Sequence, residues 1–309
     1  MNILGVDVGS TMAKFVLIDK EKNICKQVMR KIQGNPKKCI EEIFYETSEF
    51  QNDVYIAVTG SSRAIIGEYL KANLIKSEIL AHMYGVMQIE PAADLIFEIG
   101  GQDSKCIHIN KGVISNFKMN SNCAAGTGAF IEAQARRLGL TLEELDSIAL
   151  SAGNPRILNS KCAVFLESAL INLQRNGVSG EDMAMTIFDS LARNYISSFG
   201  QNGIFEKAQK IVFVGGAAKF KAMKTAFEKI LNKEIVVLEN CEYTGALGVA
   251  LLLLEDILKK ENNHLEENSL QNIFRVKQCQ GCYNQCLLEG VESGDEFVYT
   301  GGICGRYQR

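Results

Sequence analysis

The sequence lacks three features that would each place it in a large class of proteins. It has no long basic block and a formal charge of −3, which argues against nucleic-acid binding and predicts small anionic or protein partners. Its longest strongly apolar run, Gly245 to Leu254, is too short to span a bilayer and predicts a buried core helix. No secretory signal precedes the first strand pattern, so its ten cysteines indicate a reducing, cytoplasmic setting with metal or redox use rather than disulfides.

Two of the cysteines stand just ahead of helical patterns. Cys123 is followed by a Gly-Thr-Gly turn and a helical pattern over 130–138, and Cys162 opens a mostly apolar run over 163–173. A helix N-terminus favours the thiolate, which is the form that binds metal. Two thiolates cannot complete a four-thiolate iron–sulfur or zinc site, but a two-fold dimer can supply four. The alternative is that both are ordinary core cysteines.

The order βββαβα occurs twice along the chain. The first copy has strand patterns at 3–8, 13–18, 24–30 and 54–58, with helical patterns at 36–48 and from about residue 61. The second copy has strand patterns at 95–99, 105–109, 113–119 and 211–214, with a helix near Lys219. The repetition predicts two similar halves, the second with helices inserted.

Each half opens with a strand that ends in a glycine turn bearing an aspartate. Such turns let backbone N–H groups approach phosphate oxygens, while the aspartate can hold Mg²⁺ through water. Asp7 is placed to hold the metal, and Gln102 and Asp103 are placed to orient a water. A third turn, at 214–218, is suited to a nucleotide base and ribose. Any single turn of this kind is also common in proteins that bind no nucleotide.

Six motifs resemble those of one known family. They are Gly5-Val-Asp-Val-Gly-Ser-Thr11 with Lys14, Glu98-Ile-Gly-Gly-Gln-Asp-Ser-Lys105, Asn122-Cys-Ala-Ala-Gly-Thr-Gly128, Lys161-Cys-Ala-Val-Phe165, Gly215-Gly-Ala-Ala218 and Thr244-Gly-Ala-Leu-Gly248. They resemble the ATP-dependent activators of 2-hydroxyacyl-CoA dehydratases and the related benzoyl-CoA reductase subunits, within the actin, sugar kinase and Hsp70 superfamily. The two cysteine motifs are the specific part of the resemblance.

The resemblance implies an α/β protein with a duplicated βββαβα actin-like ATPase fold, two lobes around an ATP cleft, and a small cysteine-rich C-terminal element. It implies Mg²⁺-dependent ATP hydrolysis with Asp7, Gln102 and Asp103 as catalytic residues. It also implies a homodimer whose Cys123 and Cys162 residues bridge one [4Fe–4S] cluster. An electron would pass from a donor such as ferredoxin or flavodoxin to a partner iron–sulfur dehydratase or reductase. The residues expected to contact ATP or ADP are Gly9, Ser10, Thr11, Lys14, Gly100, Gly101, Gly126, Thr127, Gly128, Gly215, Gly216, Ala217 and Gly245.

We expect four segments along the chain. The first lobe is expected at 1–94 and the second at 95–260, with a last helix at about 243–260 that packs back toward the first lobe. The polar stretch at 261–275 predicts a linker. The tail at 276–309 contains Cys279, Cys282, Cys286 and Cys304 among several glycines, which predicts a four-thiolate site for zinc or a second iron–sulfur cluster. The alternative is a tail whose thiols bind no metal.

Several other residues are expected to have ordinary roles. Cys25, Cys39, Cys106 and Cys241 lie in or beside apolar patterns and are expected to pack in the core. His82 and His108 are expected to be structural. Lys219 stands where the family often has an asparagine that ends the adenosine motif.

Three functions fit this pattern. An ATPase that gates low-potential electron transfer uses every motif. A small-molecule kinase of the same fold leaves the paired cysteine motifs unexplained, as does a nucleotide-dependent binding protein. Protein purified without oxygen should be brown in the first case and colourless in the other two.

Overall fold

The computed structural model describes residues 1–50, 54–120, 126–158, 162–200, 203–262, 274–280, 287–293 and 296–300. The chain forms two compact units, Met1–Asp256 and Ile257–Arg309. Four predicted metal ligands lie outside the described residues: Cys123, Cys282, Cys286 and Cys304.

The first unit begins with a mixed five-stranded sheet. Its strands are β1 (Asn2–Val8), β2 (Met12–Asp19), β3 (Ile24–Lys31), β4 (Val54–Thr59) and β5 (Leu74–Ile75), and the helices α1 (Pro36–Glu46), α2 (Arg63–Tyr69) and α3 (Glu78–Ile89) accompany them. The strand order is β3-β2-β1-β4-β5, with β1 to β3 antiparallel and β4 parallel to β1. Local sequence begins α1, because the Asn35 side chain accepts a hydrogen bond from Lys38 N and Pro36 occupies the first helical turn.

A second five-stranded sheet repeats this arrangement. Its strands are β6 (Leu95–Ile99), β7 (Ser104–Asn110), β8 (Val113–Asn120), β9 (Ile211–Val214) and β10 (Ile235–Val237). Between β8 and β9 are inserted α4 (Gly128–Leu138), α5 (Leu142–Ala149), α6 (Ala163–Arg175), α7 (Gly180–Phe199) and α8 (Ile204–Lys207), and α9 (Lys221–Leu231) follows β9. The order β10-β9-β6-β7-β8 is the first sheet's order read from the opposite edge. The predicted duplication, with helices inserted in the second half, is confirmed.

Each sheet carries its own hydrophobic core. In the first core Phe15 stacks on Phe50, with ring centroids 5.6 Å apart, and in the second Phe97 packs against Tyr195 at 4.8 Å. The helix α3 lies within the segment that we expected in the first lobe, but its buried Ile79, Met83 and Val86 belong to the second core. The lobe boundary near residue 94 therefore stays a prediction.

The last helix, α10 (Thr244–Asn262), contacts both β1 and α3. A Cβ at Gly5 would lie 1.9 Å from the Ala246 carbonyl oxygen, and a Cβ at Gly248 would lie 1.7 Å from the Ala81 carbonyl oxygen. Only glycine allows backbones to approach this closely. These two glycines therefore let α10 lie directly against β1 and α3.

Four cysteines were expected to pack in the core. Cys39, Cys106 and Cys241 are buried, but Cys25 is exposed. The expectation is wrong for Cys25 because β3 is the edge strand of its sheet.

The second unit contains β11 (Phe274–Gln278), β12 (Leu287–Ser293) and β13 (Glu296–Thr300), which form an antiparallel sheet in that order. Cys279 is buried at the end of β11. Among the described residues, no helix combines the length and the apolar content that crossing a bilayer requires.

Candidate functional site

A cavity of about 580 Å³ is lined by the turns that follow β1, β6 and β9. The three glycine turns singled out in the sequence therefore meet at one place. The predicted site residues that line the cavity are Asp7, Gly9, Ser10, Thr11, Lys14, Gly100, Gly101, Gln102, Asp103, Gly128, Gly216 and Ala217.

The other four predicted nucleotide contacts lie behind the cavity wall. Gly126 and the buried Thr127 directly precede α4. Gly215 has a φ of +89°, and a Cβ there would lie 2.5 Å from the Ile99 carbonyl oxygen. A Cβ at Gly245 would lie 2.7 Å from an Asp7 carboxylate oxygen. The positions of Gly215 and Gly245 indicate that they make room for neighbouring residues. Direct contact of Gly126, Thr127, Gly215 and Gly245 with nucleotide stays a prediction.

Asp7 is held between its neighbours at the end of β1. Its register partner on β2 is Lys14, whose Nζ lies 3.7 Å from Oδ2. A Cβ at Gly60 would lie 2.6 Å from Oδ1, so glycine permits close backbone approach to this side of the carboxylate as well. Mg²⁺ usually keeps several waters and takes one or two carboxylates together with substrate phosphates. Asp7 and Asp103, on two turns of one cavity, fit that pattern.

A buried lysine joins three acids at one side of the cavity. The Lys105 Nζ lies 2.8 Å from Glu98 Oε2, 3.0 Å from Asp103 Oδ2 and 3.4 Å from Glu78 Oε2. Glu98 and Lys105 are register partners on β6 and β7, while Glu78 begins α3. We call these four residues the Lys105 cluster. It links two strands, a turn and a helix beside the cavity.

Burial changes the protonation properties of this cluster. Burial raises the pKa of Glu78 to about 7, although Lys105 opposes the shift. Burial also raises the pKa of Glu98. Burial alone would lower the pKa of Lys105, but the surrounding carboxylates outweigh it and raise that pKa well above its usual range. The lysine is therefore a permanent cation at neutral pH.

His82 also lines the cavity, so its assignment as a purely structural residue is incomplete. Its Nδ1 lies 2.9 Å from Thr244 Oγ1, and burial lowers its pKa to about 3. The imidazole is therefore neutral at physiological pH. No local pattern indicates this placement, because Thr244 lies 162 residues further along the chain.

Lys219 and Glu242 form an ion pair at the third glycine turn. Their Nζ and Oε1 atoms lie 3.1 Å apart, and both residues line the cavity. The hydrogen bond from Lys219 to Glu242 raises the pKa of Lys219. Lys219, which stands where the family often has an asparagine, is therefore paired with Glu242. The pair lies beside the turn that we predict to bind the base and ribose.

The helix α4 begins on the second glycine turn. Gly128 N donates to Gly100 O and Ala129 N donates to Gly101 O, both at 2.9 Å. A Cβ at Gly101 would lie 1.9 Å from Thr11 Oγ1, so the turns after β1 and β6 touch each other. The two turns and the first residues of α4 are therefore joined by direct contacts.

Cys162 is exposed at the N-cap of α6. This confirms the predicted helix start, since α6 begins at Ala163. The next turn exposes two large apolar side chains, Val164 at 66% and Phe165 at 70%. At the other end of α6, Arg137 of α4 donates to the Gln174 side chain at 2.8 Å and so ties the two helices together.

Duplicated lobes whose glycine turns and carboxylates share one cavity define a nucleotide-binding protein of actin-like fold. The chain belongs to the BadF/BadG/BcrA/BcrD ATPase family, which it matches over residues 4–253. The family resemblance of the sequence motifs and the expectation of an ATPase are thereby confirmed.

Named relatives support the same assignment. The chain is 33% identical over 265 residues to the activator of lactoyl-CoA dehydratase from Anaerotignum propionicum, covering 84% of this chain and 100% of the relative. It is 31% identical over 252 residues to the (R)-2-hydroxyglutaryl-CoA dehydratase activating ATPase from Acidaminococcus fermentans, covering 80% and 95%. The solved structure of the activator of 2-hydroxyisocaproyl-CoA dehydratase from Clostridium difficile, with bound ADPNP, has a TM-score of 0.77 and 31% identity, covering 87% and 100%.

Sequence reasoning assigned no role to Glu78, Glu98 or Lys105. A usable signal existed for Glu98, because it is the one charged residue of an otherwise apolar strand, and buried charges require partners. Lys105 lies in a strand of mixed polarity and offered a weaker signal. Glu78 stands at an ordinary helix start and offered no such signal.

Proposed function

We propose that this protein is an ATP-hydrolysing iron–sulfur activator that delivers a low-potential electron to a partner iron–sulfur enzyme, a 2-hydroxyacyl-CoA dehydratase or a related reductase. The relatives named above are dehydratase activators. ATP and ADP are the proposed nucleotides, in line with the ADPNP-bound structural neighbour.

One observation carries the proposal: α4, the helix that follows the Cys123 segment, begins with two hydrogen bonds to the carbonyls of Gly100 and Gly101. The same turn contains the proposed hydrolytic residues Gln102 and Asp103. A change at the nucleotide therefore reaches the cysteine segment through a short path of backbone contacts. The Arg137 tie to α6 extends this path toward the helix that Cys162 begins.

Within the cavity, each proposed residue has a separate task. Backbone N–H groups of the glycine turns bind phosphate oxygens. Asp7 would hold Mg²⁺, and Gln102 with Asp103 would orient the attacking water. Mg²⁺, when bound, neutralises charge on the phosphates. Enclosure in the cavity strengthens these charge interactions, because the local dielectric is lower than that of water.

The cysteines that would hold the cluster are Cys123 and Cys162 from each of two chains. An exposed thiol at a helix N-terminus suits this role, because the helix dipole favours thiolate. The exposed Val164 and Phe165 beside it supply the apolar surface that a two-fold interface buries. A [4Fe–4S] cluster supplies one-electron chemistry at low potential when bound. We expect it to be sensitive to oxygen.

The remaining assignments stay part of the proposal. The four tail cysteines would bind zinc or a second iron–sulfur cluster, and Cys279 is the one within the described residues. A ferredoxin or flavodoxin would supply the electron, and we expect the protein in the cytoplasm.

Iron analysis of anaerobically purified protein tests the cluster assignment. Cys123→Ser and Cys162→Ser should each remove about four irons and four sulfides per dimer, while any tail metal remains. Cys25→Ser is the matched control, because Cys25 is also exposed but lies on β3. Wild-type iron content in both test variants would show that these cysteines do not hold the cluster, and a colourless wild-type protein would favour a kinase or a binding protein.

A further inference from the structure

Two charged residues face each other inside buried stretches of neighbouring strands. Glu98 on β6 and Lys105 on β7 are register partners, and they are only 3% and 1% exposed. A buried ion pair is expensive to desolvate and often contributes little net stability compared with apolar residues of similar volume. The family's ATPase chemistry at the neighbouring turn offers a functional reason for placing this pair here.

Lys105 and Asp103 contact each other in the wall of the cavity, which both residues line. The Lys105 side chain is 2% exposed and that of Asp103 is 25% exposed, so Asp103 is the more accessible of the two. Asp103 Oδ2 is 3.0 Å from Nζ. Its Oδ1 lies on the Gly100 side, where a Cβ at Gly100 would be 2.8 Å away. The contact that holds the carboxylate is therefore the one to Lys105.

The other aspartate of the site has a looser arrangement. Asp7 and Lys14 are separated by 3.7 Å, which is beyond a normal hydrogen bond, whereas Lys105 is within hydrogen-bond distance of both Asp103 and Glu98. Charge-assisted hydrogen bonds are shorter and more directional than an ion pair at longer range. Lys105 is therefore built to fix an orientation as well as to balance charge.

We propose that Lys105 is a positioning residue for ATP hydrolysis: its ammonium, anchored by Glu98 and Glu78, holds the Asp103 carboxylate in the orientation that the attacking water requires. Lys105 acts through Asp103 and does not itself bind the nucleotide. The inference rests on the proposed function, because it takes Asp103 as a catalytic residue.

Removing Lys105 alone would leave three carboxylates without their cation and could unfold the protein. The double variant Lys105→Gln/Glu98→Gln avoids this. The cluster has one ammonium and three carboxylates, with a formal charge of −2. The double variant removes one group of each sign, so the formal charge stays at −2. The two amides can still hydrogen-bond across β6 and β7. Glu98→Gln alone is the matched control, since it leaves the ammonium on Asp103.

We expect the double variant to lower kcat for ATP about 10–100-fold, the usual range when a supporting contact of a reactive group is removed. Glu98→Gln, which keeps the ammonium on Asp103 and weakens only its anchor, should lower kcat less than the double variant does. The Kd of a non-hydrolysable ATP analogue should change less than about twofold in both, because positioning acts on turnover rather than on binding. In an Asp103→Asn background, the paired glutamine substitutions should have almost no further effect on kcat, because residues that act as a unit are non-additive.

Three results would overturn the proposal: wild-type kcat in the double variant, a further tenfold loss in the Asp103→Asn background, or a parallel loss of analogue affinity. Wild-type turnover in Asp103→Asn itself would overturn both the positioning role and the catalytic assignment of Asp103. Turnover and analogue binding are measured without reference to the cluster, whereas iron content in Cys162→Ser tests the cluster alone. Failure of the electron-transfer function is therefore distinguishable from failure of this inference.

Discussion

The buried imidazole of His82 should make the first unit sensitive to acid. Its pKa is lowered from 6.5 to about 3, so between these pH values the unfolded chain binds a proton that the folded chain does not. Stability therefore falls as the pH falls through this window. With about 1.36 kcal/mol per pKa unit, acidification from pH 8 to pH 5 should lower the free energy of unfolding by about 2 kcal/mol through His82.

Glu78 should act in the opposite direction. Its pKa is raised from 4.5 to about 7, so between these values the folded chain keeps a proton that the unfolded chain has lost. Its contribution to stability therefore increases as the pH falls, by about 2–3 kcal/mol over the same change from pH 8 to pH 5. The two contributions nearly cancel in the wild-type protein, and each becomes visible when the other group is replaced.

Urea unfolding of nucleotide-free protein at pH 8 and pH 5, followed by circular dichroism, measures both effects. Glu78→Gln should lose about 2–3 kcal/mol more than wild type on acidification, and His82→Gln should lose about 2 kcal/mol less. Only the difference from wild type is compared, so titrating groups that do not interact with Glu78 or His82 cancel. Identical pH dependence in wild type and His82→Gln, within about 0.5 kcal/mol, would refute the argument from burial.

Three further predictions concern the Lys31–Glu132 ion pair, the cluster potential and the packing of α10. Reversing either charge of the Lys31–Glu132 pair, which joins β3 to α4 with 2.5 Å between Nζ and Oε1, should weaken nucleotide binding by about two- to fivefold. The double reversal should restore nucleotide affinity. The control is Lys26→Gln, which should have no effect because the Lys26–Glu49 ion pair does not reach α4. If the double reversal fails to restore affinity, the Lys31–Glu132 pair does not link β3 to α4 during nucleotide binding. Mg-ADP and a non-hydrolysable ATP analogue should give cluster midpoint potentials that differ by roughly 40–130 mV, for a coupling of about 1–3 kcal/mol. Identical midpoints would leave ATP coupled only to partner docking. Gly248→Ala should lower the free energy of unfolding by about 3 kcal/mol or more, because its Cβ would meet the Ala81 carbonyl oxygen at 1.7 Å. Gly153→Ala is the control, because a Cβ there enters open space. Equal effects of the two substitutions in denaturant unfolding would contradict this packing.

The sequence by itself determined most elements of the two repeats and their order, but it indicated neither α3 nor the strands β5, β10 and β11 to β13. The strand pattern at 211–214 matches β9, and the helix after Cys162 begins at Ala163 as expected. Such boundaries are local, because they depend on apolar alternation and on the residues that begin or end an element. The two aspartate-bearing turns were also recognisable, since a glycine turn after a buried strand is a local pattern. Their repetition indicated the duplicated fold.

Only the tertiary structure decided which side chains share an environment. The Lys105 cluster gathers residues from α3, β6, β7 and the turn between these strands, and His82 meets Thr244 across most of the chain. The burial of α3 in the second core was equally hidden, because an apolar helix face does not reveal which of two sheets will cover it. Burial and proximity to charge depend on which distant segments of the chain pack together. The pKa values of Glu78 and His82, and the contact that orients Asp103, therefore follow from the fold and not from any local pattern in the sequence.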